Sequence, residues 1–325
     1  MELLSYIFIV KMGLVFSTQK YFLRNDFLFF CLWLLVFIGL SLLVRTHYDS
    51  DILNYQAAMT IESLSFYYWR EPVVWIGMRY LFAVTGSSYC TFFIYDIVAG
   101  LSTFLALRRL GLPQYYYFAI LAFFPFILGM QNIYRQWISC IFFLVAFSHA
   151  MPSGSRLKVI FFFILSVASH NMAAVFLPLL FANGESRFAK FVWFLSLLVA
   201  VLGVYIGESG KSSAATGADL SQIFLLLIFL MLVSLILFDR GRIKVDDYPL
   251  YRIFVSFFVI ALSSVIILSS AGAERVVMFA LIIAMPLISL RIEQRIYGVM
   301  IARYFVTVIG FSPIMIFGTR SFIIG

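Results

Sequence analysis

Apolar runs near or above membrane-spanning length recur from one end of the chain to the other, with short polar links between them. The pattern predicts helices over 2–16, 27–44, 89–107, 114–130, 133–149, 190–207, 221–238, 249–270, 276–290 and 296–317. Two further segments depart from it. Residues 71–86, "EPVVWIGMRYLFAVTG", make a short run interrupted by Arg79. Residues 158–182, "KVIFFFILSVASHNMAAVFLPLLFA", carry "SHN" in the middle and Pro178 near the end. A transmembrane β-barrel would need short strands of alternating polarity, which these runs are not. The predicted fold class is an all-α polytopic membrane protein of about 10–12 membrane segments, some of them broken or re-entrant.

The basic residues orient the segments. Lys20 with Arg24, Arg108 with Arg109, Arg156 with Lys158, Arg187 with Lys190, the trio Arg240, Arg242 and Lys244, and Arg291 with Arg295 mark links on the cytoplasmic side. The links between them then face outward: the acidic stretch 45–70, the turn 130–134, "GESGKSSAATGADLS" at 207–221 and "AGAER" at 271–275. This alternation closes only if neither irregular segment makes a simple crossing. Segment 71–86 would dip and return or lie at the outer interface. Segment 158–182 would enter, break near His170 and return, where the plain alternative is one ordinary helix. The Gly- and Ser-rich stretch 207–221 reads as a mobile outer loop. The first run reads as a retained helix rather than a cleaved leader. No internal repeat or soluble domain emerges, so residues 1–325 form a single integral membrane domain.

Composition agrees. Hydrophobic residues make up 63% and charged residues only 12% of the chain, about half the charged share of a soluble domain. The net charge of +8 resides mostly in the links, so it reflects membrane orientation rather than a grip on nucleic acid. Cys31, Cys90 and Cys140 lie in or beside apolar runs and form no disulfide framework.

Against this background a few ionisable groups sit in apolar company, where each is a functional candidate. Arg135, followed by Gln136, lies near the outer end of its helix. Arg275 follows Glu274 at the start of another. Asp49 and Asp51 lie just beyond helix 27–44. Glu71 precedes Pro72, an arrangement typical of a helix start. His170 lies about a dozen residues into its run, roughly mid-membrane. The topology thus gathers Asp49, Asp51, Glu71, Arg135 and Arg275 at one outer level, with His170 reaching it from below. Each also has a plainer explanation, such as snorkelling to headgroups for the arginines or helix capping for Glu71. The "DSD" spacing resembles a metal-binding pair only superficially, and no metal or other cofactor is expected. Paired arginines suit phosphate oxygens, and a carboxylate or imidazole could deprotonate an attacking hydroxyl. The set suits glycosyl transfer from a lipid-linked diphosphate sugar.

"YDSDILNYQ" at 48–56 followed by "REPVVWIGMRYL" at 70–81 resembles the opening block of the EpsG-like branch of Wzy-type polysaccharide polymerases. "YRQWISCIFFLVAF" at 134–147 is similar to that family's Arg-Gln helix, "ASHNMAAVFLP" at 168–178 to its His block, and "ERVVMF" at 274–279 to its late Arg block. Serine often follows the histidine in the family; here Asn171 stands there. The resemblance spans the order of blocks through most of the chain, while 207–250 carries no family anchor.

The resemblance implies a GT-C-like helical bundle in the bacterial inner membrane with its active site facing the periplasm. It implies an inverting, metal-independent transferase acting on undecaprenyl-diphosphate-linked glycan repeat units, with a chain-length regulator and a flippase as pathway partners. Carried onto this sequence, Arg135 and Arg275 would bind the diphosphate. His170, Glu71 and Asp51 compete for the role of base, supported by Asp49, Gln136, Tyr55 and Tyr134. The product would be O-antigen, capsule or exopolysaccharide. The alternatives are a polysaccharide flippase or transporter, which would show paired halves, and an O-antigen ligase.

Overall fold

The computed structural model describes residues 2–44, 50–61, 66–131, 133–151, 154–207, 248–293 and most of 300–307. Among them helices dominate and no strand occurs, as the hydropathy pattern requires. The helices are α1 (Glu2–Ser17), α2 (Asp26–Val44), α3 (Ser50–Thr60), α4 (Phe66–Trp69), α5 (Pro72–Thr85), α6 (Ser88–Arg109), α7 (Gln114–Ala122), α8 (Phe124–Gln131), α9 (Tyr134–Ala150) and α10 (Arg156–Ser169). A 3-10 turn (Asn171–Phe176) leads to α11 (Leu177–Phe181), followed by α12 (Arg187–Gly207), α13 (Tyr248–Ile267) and α14 (Ser270–Glu293). Among the described residues, four spans, Asp26–Leu43, Ser88–Arg109, Arg187–Tyr205 and Gly272–Leu290, are long and apolar enough to cross a membrane, and the other apolar helices there are shorter. The helix expected at 221–238 and most of the loop at 207–221 lie outside the described residues, as does Asp49.

Two expectations need correction. The stretch 45–70 is not a plain loop, because α3 and α4 lie within it. The helix expected over 114–130 is two helices, α7 and α8, with Phe123 extended between them (φ −73°, ψ 126°). The cause is Pro125, which cannot donate to the carbonyl four residues back and crowds it.

Burial divides the bundle into a centre and a wrap. α7, α9 and the greater part of α14 are buried on nearly every face. The surrounding helices keep apolar residues exposed, among them Leu35, Leu105, Ile164 and Leu202. Small residues bring helices close. A Cβ at Gly100 would meet the Phe37 ring at 2.8 Å, and one at Gly129 would meet Trp137 at 2.6 Å. Because α9 touches protein rather than lipid, it can carry polar residues at its head.

One end of the bundle collects the basic links. Arg108 Nη2 donates to Asp26 at 3.0 Å, joining the end of α6 to the start of α2. Arg109 Nε donates to the Ser148 carbonyl at 3.1 Å, and Arg252 Nη1 to that of Gly184 at 2.7 Å. The start of α2, the ends of α6 and α9 and the start of α13 therefore lie at one end of the bundle.

Both irregular segments avoid a simple crossing. α5 runs antiparallel beside the first part of α6: Tyr95 OH donates to the Val73 carbonyl near one end, and the left-handed Gly86 (φ 65°) turns the chain into α6 at the other. Residues 156–183 enter and come back. α10 descends along α9, where Ser139 and Ser166 hydroxyls each donate to the other's carbonyl at 2.8 and 2.6 Å. The helix ends at the extended His170 (φ −159°, ψ 125°). The chain then returns along α9, with Phe176 beside Phe143 and Asn183 Nδ2 donating to the Ala150 carbonyl at 3.4 Å. The segment is re-entrant.

This topology predicts that single cysteines at Ser155 and Gly184, in a background without the native three, label from the same side of the membrane. A cysteine at Ser87 labels from the other. Labelling of 155 and 184 from opposite sides would mean a plain crossing.

Candidate active site

The re-entrant hairpin, the head of α9 and the residue before α5 converge on one buried cluster. Glu71 occupies the N-cap position of α5, and Pro72 sets the first turn, yet the carboxylate makes no capping bond. It turns inward. Glu71 Oε2 pairs with Arg135 Nη1. Oε1 accepts the backbone N–H of Asn171 at 3.3 Å and lies 3.9 Å from His170 Nδ1. Glu71 and His170 are each 5% exposed. The capping explanation for Glu71 therefore gives way to an ion pair that ties three segments together. Asn171 contributes its backbone N–H, which a serine would supply equally, so the departure at this position leaves the contact intact.

Arg135 is held on several sides. Its Nε donates to the Tyr55 hydroxyl at 3.1 Å, and its guanidinium lies 4.6 Å from the Trp75 ring centroid. Tyr55 and Trp75 are themselves in contact, 5.0 Å between ring centroids. A partly desolvated cation over an indole face gains about 1–2 kcal/mol. This is not a side chain snorkelling to headgroups. Trp75, four residues after Glu71 and so on the same face of α5, was not singled out from the sequence, although that spacing marks it.

His170 has a defined tautomer when neutral. Its Nδ1 accepts the N–H of Met172 at 3.2 Å, so the proton resides on Nε2. The Nδ1 lone pair and the Glu71 carboxylate face one another without bonding. Ser139 Oγ, 3.4 Å from the His170 carbonyl, steadies the break.

Gln136 points to the other late block. Its Nε2 donates to the Arg275 carbonyl, joining the heads of α9 and α14. Lower down, Cys140 Sγ approaches the Phe279 carbonyl at 3.8 Å, so these helices run side by side in the same direction. Arg275 is thus adjacent to Gln136, one residue from Arg135. Glu274 beside it is 5% exposed.

Tyr134 points to a residue that the sequence reading passed over. Its hydroxyl donates to Asp96 Oδ1 at 2.6 Å, while the Ser41 hydroxyl donates to Oδ2. Asp96 is 1% exposed. The signal was available, because a carboxylate in the middle of an apolar helix needs partners.

These contacts also set the position of the site within the bundle. Asp96 lies about 12 Å along α6 from Ser88, and roughly 18 Å from Arg108, at 1.5 Å per residue. Tyr134, Arg135 and Glu71 share that level. The cluster lies inside the bundle, away from the Ser88 end of α6, because α5 and the hairpin both reach inward to meet it. Asp51 lies on α3, one turn before Tyr55, but the contacts of its side chain lie outside the described residues.

The motif order carried by this cluster has a counterpart among known families: residues 30–321 match the EpsG family. The chain belongs to the EpsG family. That membership points to a polysaccharide-polymerase-like role in a membrane. No curated protein and no solved structure matches the chain. The EpsG match covers all five blocks, including both members of the Glu71–Arg135 pair.

Removing one member of a buried ion pair costs about 3–5 kcal/mol, because the other charge is left uncompensated. Glu71→Ala should therefore sharply lower the unfolding temperature in detergent. The double variant Glu71→Gln, Arg135→Gln should regain much of that loss. A double variant as unstable as the single would show that charge pairing is not what holds the three segments together.

Proposed function

We propose that this EpsG-family chain is an inverting glycosyltransferase that joins undecaprenyl-diphosphate-linked oligosaccharide repeat units into a surface polysaccharide. Its site faces the periplasmic side of a bacterial inner membrane. The observation that carries the reading is the assembly of Arg135, Glu71 and His170 within one buried cluster, with Arg275 adjoining it through Gln136. The collection of basic links at the opposite end of the bundle supports the orientation, since such links stay cytoplasmic.

In this reaction a hydroxyl oxygen of the incoming unit bonds to the anomeric carbon of the growing chain. The bond from that carbon to the diphosphate breaks, and undecaprenyl diphosphate departs with the electron pair. The hydroxyl proton passes to a base drawn from Asp51, Glu71 and His170. Arg135 and Arg275 balance the charge that develops on the departing diphosphate. Stabilisation of this kind is strongest where water is excluded, and the burial of Glu71 and His170 supports that reading. A chain-length regulator and a flippase would act before and alongside it.

The test is ladder formation from purified lipid-linked repeat units by the protein in liposomes. Arg135→Lys keeps the charge but cannot reach Glu71 and Tyr55 with one planar fork. It is expected to polymerise about a hundredfold more slowly at matched protein levels; near-wild-type turnover would remove Arg135 from the site.

Arginines rather than a cation neutralise the diphosphate in this scheme. Ladders should therefore form undiminished in EDTA. Loss of the ladder with recovery on adding Mg²⁺ or Mn²⁺ would overturn that part of the scheme.

A further inference from the structure

The head of α9 divides into two chemically different halves. Arg135 faces an acid, a phenol and an indole, all of them part of the protein. Gln136, the next residue, faces the start of α14. It is 3% exposed. Its amide orientation is fixed by its neighbour: the Arg275 carbonyl can only accept, so the atom against it is Nε2. The other amide atom, Oε1, is then an acceptor. It is buried and finds no hydrogen-bond partner among the described residues. Arg275 Nε, a donor in the same residue pair, is likewise buried and finds none. Buried polar atoms of this kind are rare and call for an explanation.

The two unmet atoms differ in kind. A diphosphate offers acceptors alone, so it could meet Arg275 Nε but would repel Gln136 Oε1. A sugar hydroxyl offers a donor and an acceptor together and could meet both. We infer that Gln136 Oε1, together with the unmet Arg275 Nε, binds a hydroxyl of the incoming acceptor glycan. The diphosphate of the donor would then meet Arg135 and the terminal nitrogens of Arg275, leaving Arg275 Nε for the acceptor. Burial gives the contact its selectivity, because a site built around an unmet acceptor rejects a ligand that lacks the matching hydroxyl. Gln136 is thus an acceptor-binding residue. The inference rests on the polymerase reading and places one of its two substrates.

The test separates the two substrates. Repeat-unit oligosaccharide released from its lipid can accept but has no diphosphate to give. A lipid-linked oligomer methylated at its non-reducing end can give but cannot accept. With these two probes and the full-length protein in liposomes, Gln136→Met is expected to raise the KM for the free oligosaccharide tenfold or more. The KM for the capped lipid-linked donor should stay unchanged. Gln136→Asn, which keeps the carbonyl on a shorter arm, should fall between. A drop in kcat with both KM values unchanged would make Gln136 a brace between α9 and α14, its Oε1 satisfied by water, and would overturn the inference. A rise in the donor KM would overturn it too, by moving Gln136 to the diphosphate. If the wild-type protein joins neither probe to the other while intact repeat units also fail to polymerise, the polymerase reading falls and takes this assignment with it.

Discussion

The arrangement of the site depends on one buried ion pair. Glu71 and Arg135 come from segments far apart in the chain, and neither could be left alone at that depth. The pair draws the start of α5 inward, fixes the head of α9, and through the second carboxylate oxygen receives the hairpin at Asn171. Two segments that fail to cross the membrane thereby acquire a reason to dip into it. Backbone freed by such breaks must be satisfied within the protein, and the carboxylate does that for one N–H at the apex.

The pair also limits what each partner can do. With Oε2 committed to Arg135 and Oε1 to Asn171, Glu71 is a carboxylate whose charge is already well compensated. Arg135 gives Nε to Tyr55 and Nη1 to Glu71. A substrate entering this cluster would exchange partners with an existing network. Preorganised charge of this sort needs little rearrangement at the moment of reaction, and the aromatic walls of Tyr55 and Trp75 keep it in place.

Much of this was legible in the sequence, and for identifiable reasons. The positive-inside pattern required 71–86 and 158–182 to turn back, and "SHN" marked the point where the second one does. Glu71, Arg135 and His170 stood out because ionisable groups in apolar runs are costly. Three things were not legible. The break at Phe123 was hidden in a continuous apolar run, although Pro125 signals it. The depth of the cluster depends on how far α5 descends beside α6, which is a matter of packing rather than periodicity. Asp96 was passed over because its helix reads as an ordinary span, and its partners Ser41 and Tyr134 lie on other helices.

Asp96 has a bearing on how the chain enters the membrane in the first place. α6 reads as a membrane span, with a mean hydropathy of 1.8, but it carries a carboxylate near its middle, and a lone aspartate there costs the translocon about 2.5–3.5 kcal/mol. One hydroxyl partner, Ser41, is on α2 and has already been synthesised when α6 emerges; another, Tyr134, has not. α6 can thus meet Ser41 of α2 as it emerges, while the contact with Tyr134 waits for α9. The order of synthesis thus sets α2 and α6 in place before the helix that carries Arg135.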